Sequence, residues 1–271
     1  MGALLIGVLP GSVAGVVTSG GWRSVATTGP TVWWPPAIMA PSSRAPEAIA
    51  SRWDTVRVAT ASYVRPCARG TLIGEAAVGR VVARIAPRVK AQVVARFNRK
   101  SVFGSPQVFL LDKEVVNPNG DRWFRALLPI RPNGTFGYVD ATDLRLRRTY
   151  YRIEVSLSAF RLRLFDGCDL VRKYQVGIGT GETPTPTGRF YVNTLLKPPD
   201  PGTIYGTYAY GLSAYSNVLT YWKDGGFIGV HGTNQPSSIG RRSSHGCIRM
   251  LNRDIEQLVK ILPLGTPITI G

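Results

Sequence analysis

The segment HGTNQPSSIGRRSSHGCIRM, from His231 to Met250, holds both histidines of a 271-residue chain and one of its three cysteines. A cysteine attacks a carbonyl as the thiolate, so it needs a base or a positive field beside it. Cys247 follows directly on His245 and Gly246, and His231 lies upstream in the same segment. Either imidazole can take the thiol proton, because its ordinary pKa of about 6.5 lets it gain and return protons near neutral pH. Gly246 has no side chain, so a substrate can approach the backbone beside the sulfur. Backbone N–H groups in such a turn can receive a developing oxyanion. Ser244 belongs to the same loop. Arg249 lies two residues beyond Cys247, and in an extended segment the two side chains point the same way. A guanidinium there can grip a substrate carboxylate through a forked pair of hydrogen bonds. Together these residues suit acyl transfer through a thiol. Two other readings use the same residues. A buried thiol with incidental histidines needs no chemistry. A zinc site would need a fourth ligand from Cys67, Cys168 or a distant acid, and His-Gly-Cys is not a usual zinc spacing. No metal or cofactor is expected.

Several elements must position this segment. GFIGVHG is a short apolar run bounded by glycines, read as a strand that ends at His231. NRDIEQLVKILP places Ile255, Leu258, Val259 and Leu262 on one helical face. Asn252 suits its N-cap and Pro263 its stop. TPITI alternates as a last strand. Further upstream, in YRIEVSLSAFRLRLFDG, Ile153, Val155 and Leu157 share one parity, while Phe160, Leu162 and Leu164 share the other. A turn or bulge must separate two strands there. Asp166-Gly167 marks the next turn, and LVRKYQVGIG continues an antiparallel meander. TPTPTGRFYV is a Pro/Gly loop feeding another strand. Tyr205, Tyr208, Tyr210, Tyr215, Tyr221 and Trp222 precede the motif. They read as a wall or lid that keeps water from the thiol, or equally as ordinary core aromatics.

The first half has a different character. Residues 53–148 carry strand-like runs (VGRVVARIAPRV, AQVVARF) and two Asn-Gly turn signals, Asn119-Gly120 and Asn133-Gly134. Short strands with tight turns imply a small barrel. The stretch resembles a bacterial SH3-like domain, with GYVDATDL as closing strand and short helical turn, and Arg145 to Arg148 as boundary. Residues 1–52 are an apolar N-terminus, uncharged as far as Arg23, followed by a Pro/Ser/Ala-rich linker with Trp33 and Trp34. The apolar start is read either as an export signal that lacks the usual positive start or as a disordered tail. No apolar run reaches the roughly 18–20 residues of a membrane-spanning helix. The chain carries 33 basic and 16 acidic residues, a net charge of +17. Of this, +12 falls in residues 1–150 and +5 in residues 151–271. Such a surface attracts polyanions, either envelope polymers and lipids or nucleic acid, although a plainly solvated basic surface is equally compatible. Cys67 and Cys168 are expected to be separate small hydrophobes rather than a pair, leaving Cys247 free.

The ordered motifs resemble one family. HGT, then SSHGCIRM, with TPTG at 185–188, the opening alternating strands and the closing GTPITI, are similar to the L,D-transpeptidases of bacterial cell walls, the YkuD-type catalytic domain. The resemblance spans about residues 150–271. It implies a mainly β fold: a YkuD-like β-sandwich catalytic domain over 150–271 with a short helix near its end, preceded by the small SH3-like β-barrel of 53–148. It implies that the Cys247 thiolate attacks the carbonyl of the third stem residue, expels D-alanine and forms a thioester, which a second stem amine resolves to a 3→3 cross-link. In that scheme His231 accepts and returns the proton, and His245 orients the site or shares the base role. Gly246 and Cys247 supply the oxyanion hole, Ser244 shapes the loop, and Arg249, Gly232 and Tyr210 lie on the substrate side. Peptidoglycan stem peptides would be the substrate, carbapenems would acylate the thiol, and the bacterial envelope outside the cytoplasm would be the location. The basic first half would hold anionic wall polymer, with nucleic acid the lesser alternative. The competing functions are an L,D-carboxypeptidase or other cysteine peptidase of the same bond, and a non-catalytic module that binds wall polymer or nucleic acid.

Overall fold

A computed structural model describes residues 23–24, 66–220 and 226–271. The expectations for the export signal, the linker, Trp33, Trp34, Tyr221 and Trp222 lie outside the described residues. Among the described residues the fold is mainly β with one α-helix, as the patterning implies. No helix among the described residues is long and apolar enough to cross a membrane.

The strands fall into two large sheets. The two-residue strand β1 (Arg23–Ser24) pairs with Leu196 and Lys197 in the second of them. The first sheet contains β2 (Thr71–Ala76), β3 (Arg80–Arg84), β4 (Val93–Asn98), β5 (Val108–Val116), β6 (Arg122–Leu127), β7 (Phe136–Asp140) and β8 (Leu144–Thr149). Their order is β4-β3-β7-β6-β5-β2-β8, antiparallel throughout. Alternation is clear on β3 and β7, where Val81, Ala83 and Val139 are buried between more exposed neighbours, while Phe109 and Phe124 join the same core from the fully buried runs of β5 and β6. The Asn117–Asp121 turn between β5 and β6 needs Gly120 at φ +86°, and Asn117 Oδ1 accepts from the N–H groups of Asn119 and Asp121. GYVDATDL forms most of β7, one 3₁₀ turn (Ala141–Asp143) and the start of β8, and Asp140 caps the turn by accepting from Thr142 N. Arg145 to Arg148, expected to be a boundary, lie inside β8 and pair with β2. β8 ends at Thr149 and the next strand begins at Tyr151, so these residues lie in the last strand of the first sheet.

The second sheet contains β9 (Tyr151–Ser156), β10 (Arg161–Asp166), β11 (Asp169–Gln175), β13 (Gly188–Lys197), β14 (Ala209–Tyr215), β15 (Phe227–His231), β17 (Ile248–Arg249) and β18 (Pro267–Ile270). The order is β11-β10-β9-β18-β13-β14-β15-β17, and a separate pair joins β12 (Ile178–Gly179) to β16 (Arg242–Ser244). The parity switch after Leu157 is a turn, with Phe160 at φ +50°. Asp166-Gly167 closes the next hairpin with Gly167 at φ +54°. The helix α1 (Asn252–Val259) buries Ile255 and Leu258 in the core of this half. Its first residue is Asn252, with Leu251 at the cap position and no side-chain cap. The Asn252 amide is used elsewhere, as described below.

The two sheets share a seam. Ile73, Val108, Leu110 and Leu127 of the first pack in one core with residues of the second. Tyr191 donates its hydroxyl to Val108 O at 3.1 Å, Ser105 and Thr194 share a hydroxyl bond of 2.5 Å, and Arg131 Nη1 donates to Ser216 O at 2.7 Å. Asn133 exchanges two hydrogen bonds with the Tyr215 backbone. Cys67 and Cys168 form a disulfide with a Cα–Cα distance of 5.1 Å. This overturns the expectation that they stay separate. A sequence separation of 101 hides a pair that the seam brings together.

Candidate active site

The turn from Ser244 to Cys247 is built on one glycine. Gly246 has φ +111°, and a Cβ there would lie 2.8 Å from Ile228 Cδ1. No other residue holds that conformation cheaply. Ser244 is buried, donates its hydroxyl to Cys247 O at 2.5 Å and accepts from Gly246 N at 3.2 Å. Ser244 therefore shapes the loop, and the Gly246 N–H expected for the oxyanion hole is already engaged. Behind the turn lies the TPTPTG loop, where Thr183 Oγ1 donates to Ser244 O at 3.2 Å and the buried Thr185 accepts from Gly179 N at 2.9 Å.

Strands β15 and β17 run parallel, with Val230 beside Ile248 and His231 beside Arg249. Extending this register by one pleat puts Cys247 beside Gly229 and on the same face as Arg249. The half-buried Cys247 Sγ accordingly sits 3.4 Å from Gly229 N and 4.0 Å from Phe227 O. Burial pushes the Cys247 thiol pKa up from its ordinary value, opposed by the Gly229 N–H and the Arg249 charge. His231 is 3 % exposed, and burial pushes its pKa down to about 4. The Gly232 carbonyl pulls it the other way and the Arg249 charge lowers it further. Its Nδ1 lies 2.5 Å from Gly232 O, so the ring proton of the neutral tautomer is held there and Nε2 keeps the accepting lone pair. The two neighbours thus rest as neutral thiol and neutral imidazole.

Arg249 is 7 % exposed. Its Nη1 donates to Gln235 Oε1 at 3.0 Å, and its Nε is buried without a hydrogen-bond partner. The Arg249 side chain lines the cleft, so its guanidinium brings a positive charge to the cleft wall.

Cys247, His231, His245, Ser244 and Arg249 line one cleft together with Phe103, Tyr205, Leu219 and Phe227. His245 is exposed. The Tyr205 ring stands edge-on to His231 at 5.1 Å between centroids, and Phe103 stands edge-on to Phe227 at 5.2 Å. Of the expected aromatic wall, Tyr205 fills the part. Tyr210 also borders the cleft, but its ring is buried and its hydroxyl donates to Leu262 O at 3.0 Å, bracing the chain after α1. Gly232 is likewise buried, against Gly206 and Asn252, where a Cβ would lie 2.2 Å from Asn252 Oδ1. Its part is to hold His231 rather than to touch substrate. Asn252 Oδ1 accepts from Thr233 N at 2.9 Å, fixing the loop after His231. That is why the amide is not free to cap α1. Cys67 and Cys168, the sulfurs that could have completed a zinc site, are spent on each other.

The sequence reading missed Phe103, Gln235 and the tethering role of Asn252. Phe103 comes from the first sheet's β4–β5 loop, and no local pattern ties that loop to a cleft in the other sheet. Gln235 lies inside the motif segment, but 14 residues before Arg249, and no spacing marks it as that residue's partner.

Fold and cleft define a mainly β domain that carries a Cys–His–Arg cluster on the floor of an apolar cleft. Residues 150–270 match the YkuD family model, described as the L,D-transpeptidase catalytic domain. Over 120 residues the chain is 42 % identical to YkuD of Bacillus licheniformis, covering 44 % of this chain and 65 % of that protein. YkuD of Bacillus subtilis is 38 % identical over 121 residues, covering 45 % and 66 %. The chain therefore spans just under two thirds of the length of these relatives. Among solved structures, an L,D-transpeptidase from Mycobacterium smegmatis is 15 % identical, with a TM-score of 0.36 over 60 % of this chain and 90 % of that one. Residues 150–270 thus match the L,D-transpeptidase catalytic domain, and over that segment the chain is similar to this family.

Proposed function

We propose that the protein is a peptidoglycan L,D-transpeptidase that forms 3→3 cross-links through a thioester on Cys247. The observation that carries this reading is the shared cleft face of Cys247, His231 and Arg249, set by the parallel register of β15 and β17. A donor tetrapeptide stem enters with its terminal carboxylate toward the Arg249 guanidinium, which lines the cleft. His231 Nε2 takes the thiol proton as sulfur attacks the carbonyl carbon of the third residue. The Cys247 N–H receives the developing oxyanion, since the Gly246 N–H is engaged by Ser244. The C–N bond to D-alanine breaks, and His231 returns its proton to the leaving amine. A side-chain amine of a second stem then attacks the thioester, gives its proton to His231 and releases the thiol. His245 guides the exposed side of this path, and carbapenems acylate the same sulfur.

The neutral resting pair fits this order of events. A raised thiol and a lowered imidazole keep the proton on sulfur until a carbonyl is in place, so transfer and attack are coupled. The reaction places the protein outside the cytoplasm, in the bacterial envelope. The Cys67–Cys168 disulfide favours such an oxidising compartment. The first sheet is read as an SH3-like accessory module, and the division into 53–148 and 150–271 as its boundary with the catalytic part.

Incubation with tetrapeptide stems tests the reading. Release of D-alanine with dimer formation supports it. Tripeptide alone means a carboxypeptidase, and no product at all, with Cys247→Ala indistinguishable from the parent, leaves only a binding module.

A further inference from the structure

Outside the cleft the first sheet distributes its cations unevenly. On β5, β6 and β8 arginines face acids: Arg122 with Glu114 at 2.6 Å, Arg125 with Asp112 at 2.6 Å and Arg147 with Glu75 at 3.5 Å. The β3–β4 hairpin and the loop after it are different. Between Ala76 and Leu111 the chain has seven cations and no acid. Arg80, Arg88, Lys90, Arg96, Arg99 and Lys100 are all exposed, and none forms an ion pair among the described residues. The seventh, Arg84, spends its Nη1 on Ala91 O at 2.8 Å, inside the hairpin.

The tip of that hairpin carries a second feature. Ile85 is 58 % exposed and Val89 is 65 % exposed. The connection holding them is ordered: Ile85 N donates to Gln92 O at 3.0 Å, Arg88 N to Ala86 O at 2.8 Å and Ala91 N to Arg88 O at 3.0 Å. Two aliphatic side chains therefore stand at a fixed, projecting turn with Arg88 and Lys90 beside them. β4 is the edge strand of the sheet. Cations on an edge strand can be explained as a guard against edge-to-edge pairing. That account covers Arg96 on β4, but it leaves Ile85 and Val89 in water for no return. A soluble polyanion would use the cations alone. A surface with negative headgroups above an acyl boundary uses both kinds of side chain at once.

We propose that the β3–β4 tip is a docking element for an anionic phospholipid membrane, with Ile85 and Val89 entering the interface and Arg88 and Lys90 on the headgroups. The first sheet then holds the molecule at a membrane surface. This inference does not rest on the transpeptidase reading, and a failure of either leaves the other standing.

Sedimentation of the full chain with vesicles tests it. The parent should bind phosphatidylcholine/phosphatidylglycerol vesicles and not phosphatidylcholine alone. Arg88→Ala and Lys90→Ala should each weaken binding about fivefold, the worth of one cation near such a surface. Ile85→Ser with Val89→Ser should weaken vesicle binding about tenfold or more while leaving binding to soluble polyphosphate unchanged. Arg172→Ala with Lys173→Ala, exposed on β11, should leave vesicle binding unaltered, and all these variants should unfold at the parent temperature. Failure of the parent to bind the anionic vesicles overturns the proposal. So does unchanged vesicle binding after the serine substitutions, which would mark a site for soluble polyanions. An equal loss in the β11 pair would also overturn it, by showing that net charge alone matters.

Discussion

Arg249 stands beside His231 across the parallel pair β15–β17, and its Nη1 is held by Gln235 at 3.0 Å while its Nε is buried without a partner. A buried cation next to an imidazole disfavours imidazolium, and one next to a thiol favours thiolate. The same guanidinium thus lowers both groups and brings a positive charge to the cleft wall. Arg249→Lys keeps the charge but loses the fork. KM for stems ending in a free carboxylate should rise about tenfold, with a smaller change in kcat. The parent should show a comparable loss on a stem amidated at its C-terminus. Steady-state kinetics on both stems checks this, and equal KM values for parent and variant would assign Arg249 to bracing alone.

His231, pushed down to about 4, makes stability depend on pH. In the unfolded chain this imidazole takes its proton near the ordinary value of about 6.5, so between there and 4 the unfolded state holds more protons than the folded one. Stability from this group is full above pH 6.5 and falls as the pH drops toward 4, by about 3 kcal/mol in all. His231→Gln should lack that part of the acid destabilisation. Denaturant unfolding of both proteins from pH 7.5 to 4 measures the difference, and parallel curves would contradict it.

Alkylation of Cys247 by iodoacetamide should climb through the alkaline range with no plateau at neutral pH, because burial holds the thiol above its ordinary value. Arg249→Ala should move the curve further to alkaline pH, since the arginine charge pulls the thiol down. A flat, fast reaction at pH 6 to 7 would mean a resting thiolate.

The disulfide joins residues 101 apart across the seam between the sheets. Closing a loop of that length stabilises the fold by up to about 4.7 kcal/mol on the chain-entropy account. Cys67→Ser with Cys168→Ser should therefore lower the denaturant midpoint clearly, while the free Cys247 keeps its alkylation rate in the folded state. An unchanged midpoint would show that the seam holds without the bond.

Phe103 brings part of the first sheet into the cleft, packed on Phe227 at 5.2 Å. Phe103→Ala should raise KM for stems about three- to tenfold, at the cost of little stability, because the side chain is only half-buried. Kinetics beside a thermal melt separates these effects. An unchanged KM would make the first sheet a bystander to the cleft.

Some of this architecture is legible in the chain and some is not, for physical reasons. The meander β9–β10–β11 is visible because alternation with a parity switch has one cheap solution, a turn near Leu157 to Phe160. The chemical cluster is visible because His and Cys are rare here and crowd into one segment. Asn252 misleads because a cap and a loop tether call for the same amide, and only tertiary structure says which N–H is nearer. The Tyr210 hydroxyl bond to Leu262 O is not legible in the chain, because only the fold says which acceptor a strand side chain meets. The Cys67–Cys168 bond and the reach of Phe103 depend on how two sheets meet, which no local spacing encodes.

The most direct measurement is the intact mass of the protein after brief mixing with a tetrapeptide stem, followed by mapping of the adduct. The account predicts a mass increase equal to the tripeptide acyl group, located on Cys247, formed with release of D-alanine and consumed to dimer when acceptor stem is added. It predicts slower adduct formation in His231→Gln than in His245→Gln. Cross-linked product from Cys247→Ala, or an adduct mapped elsewhere, would contradict it.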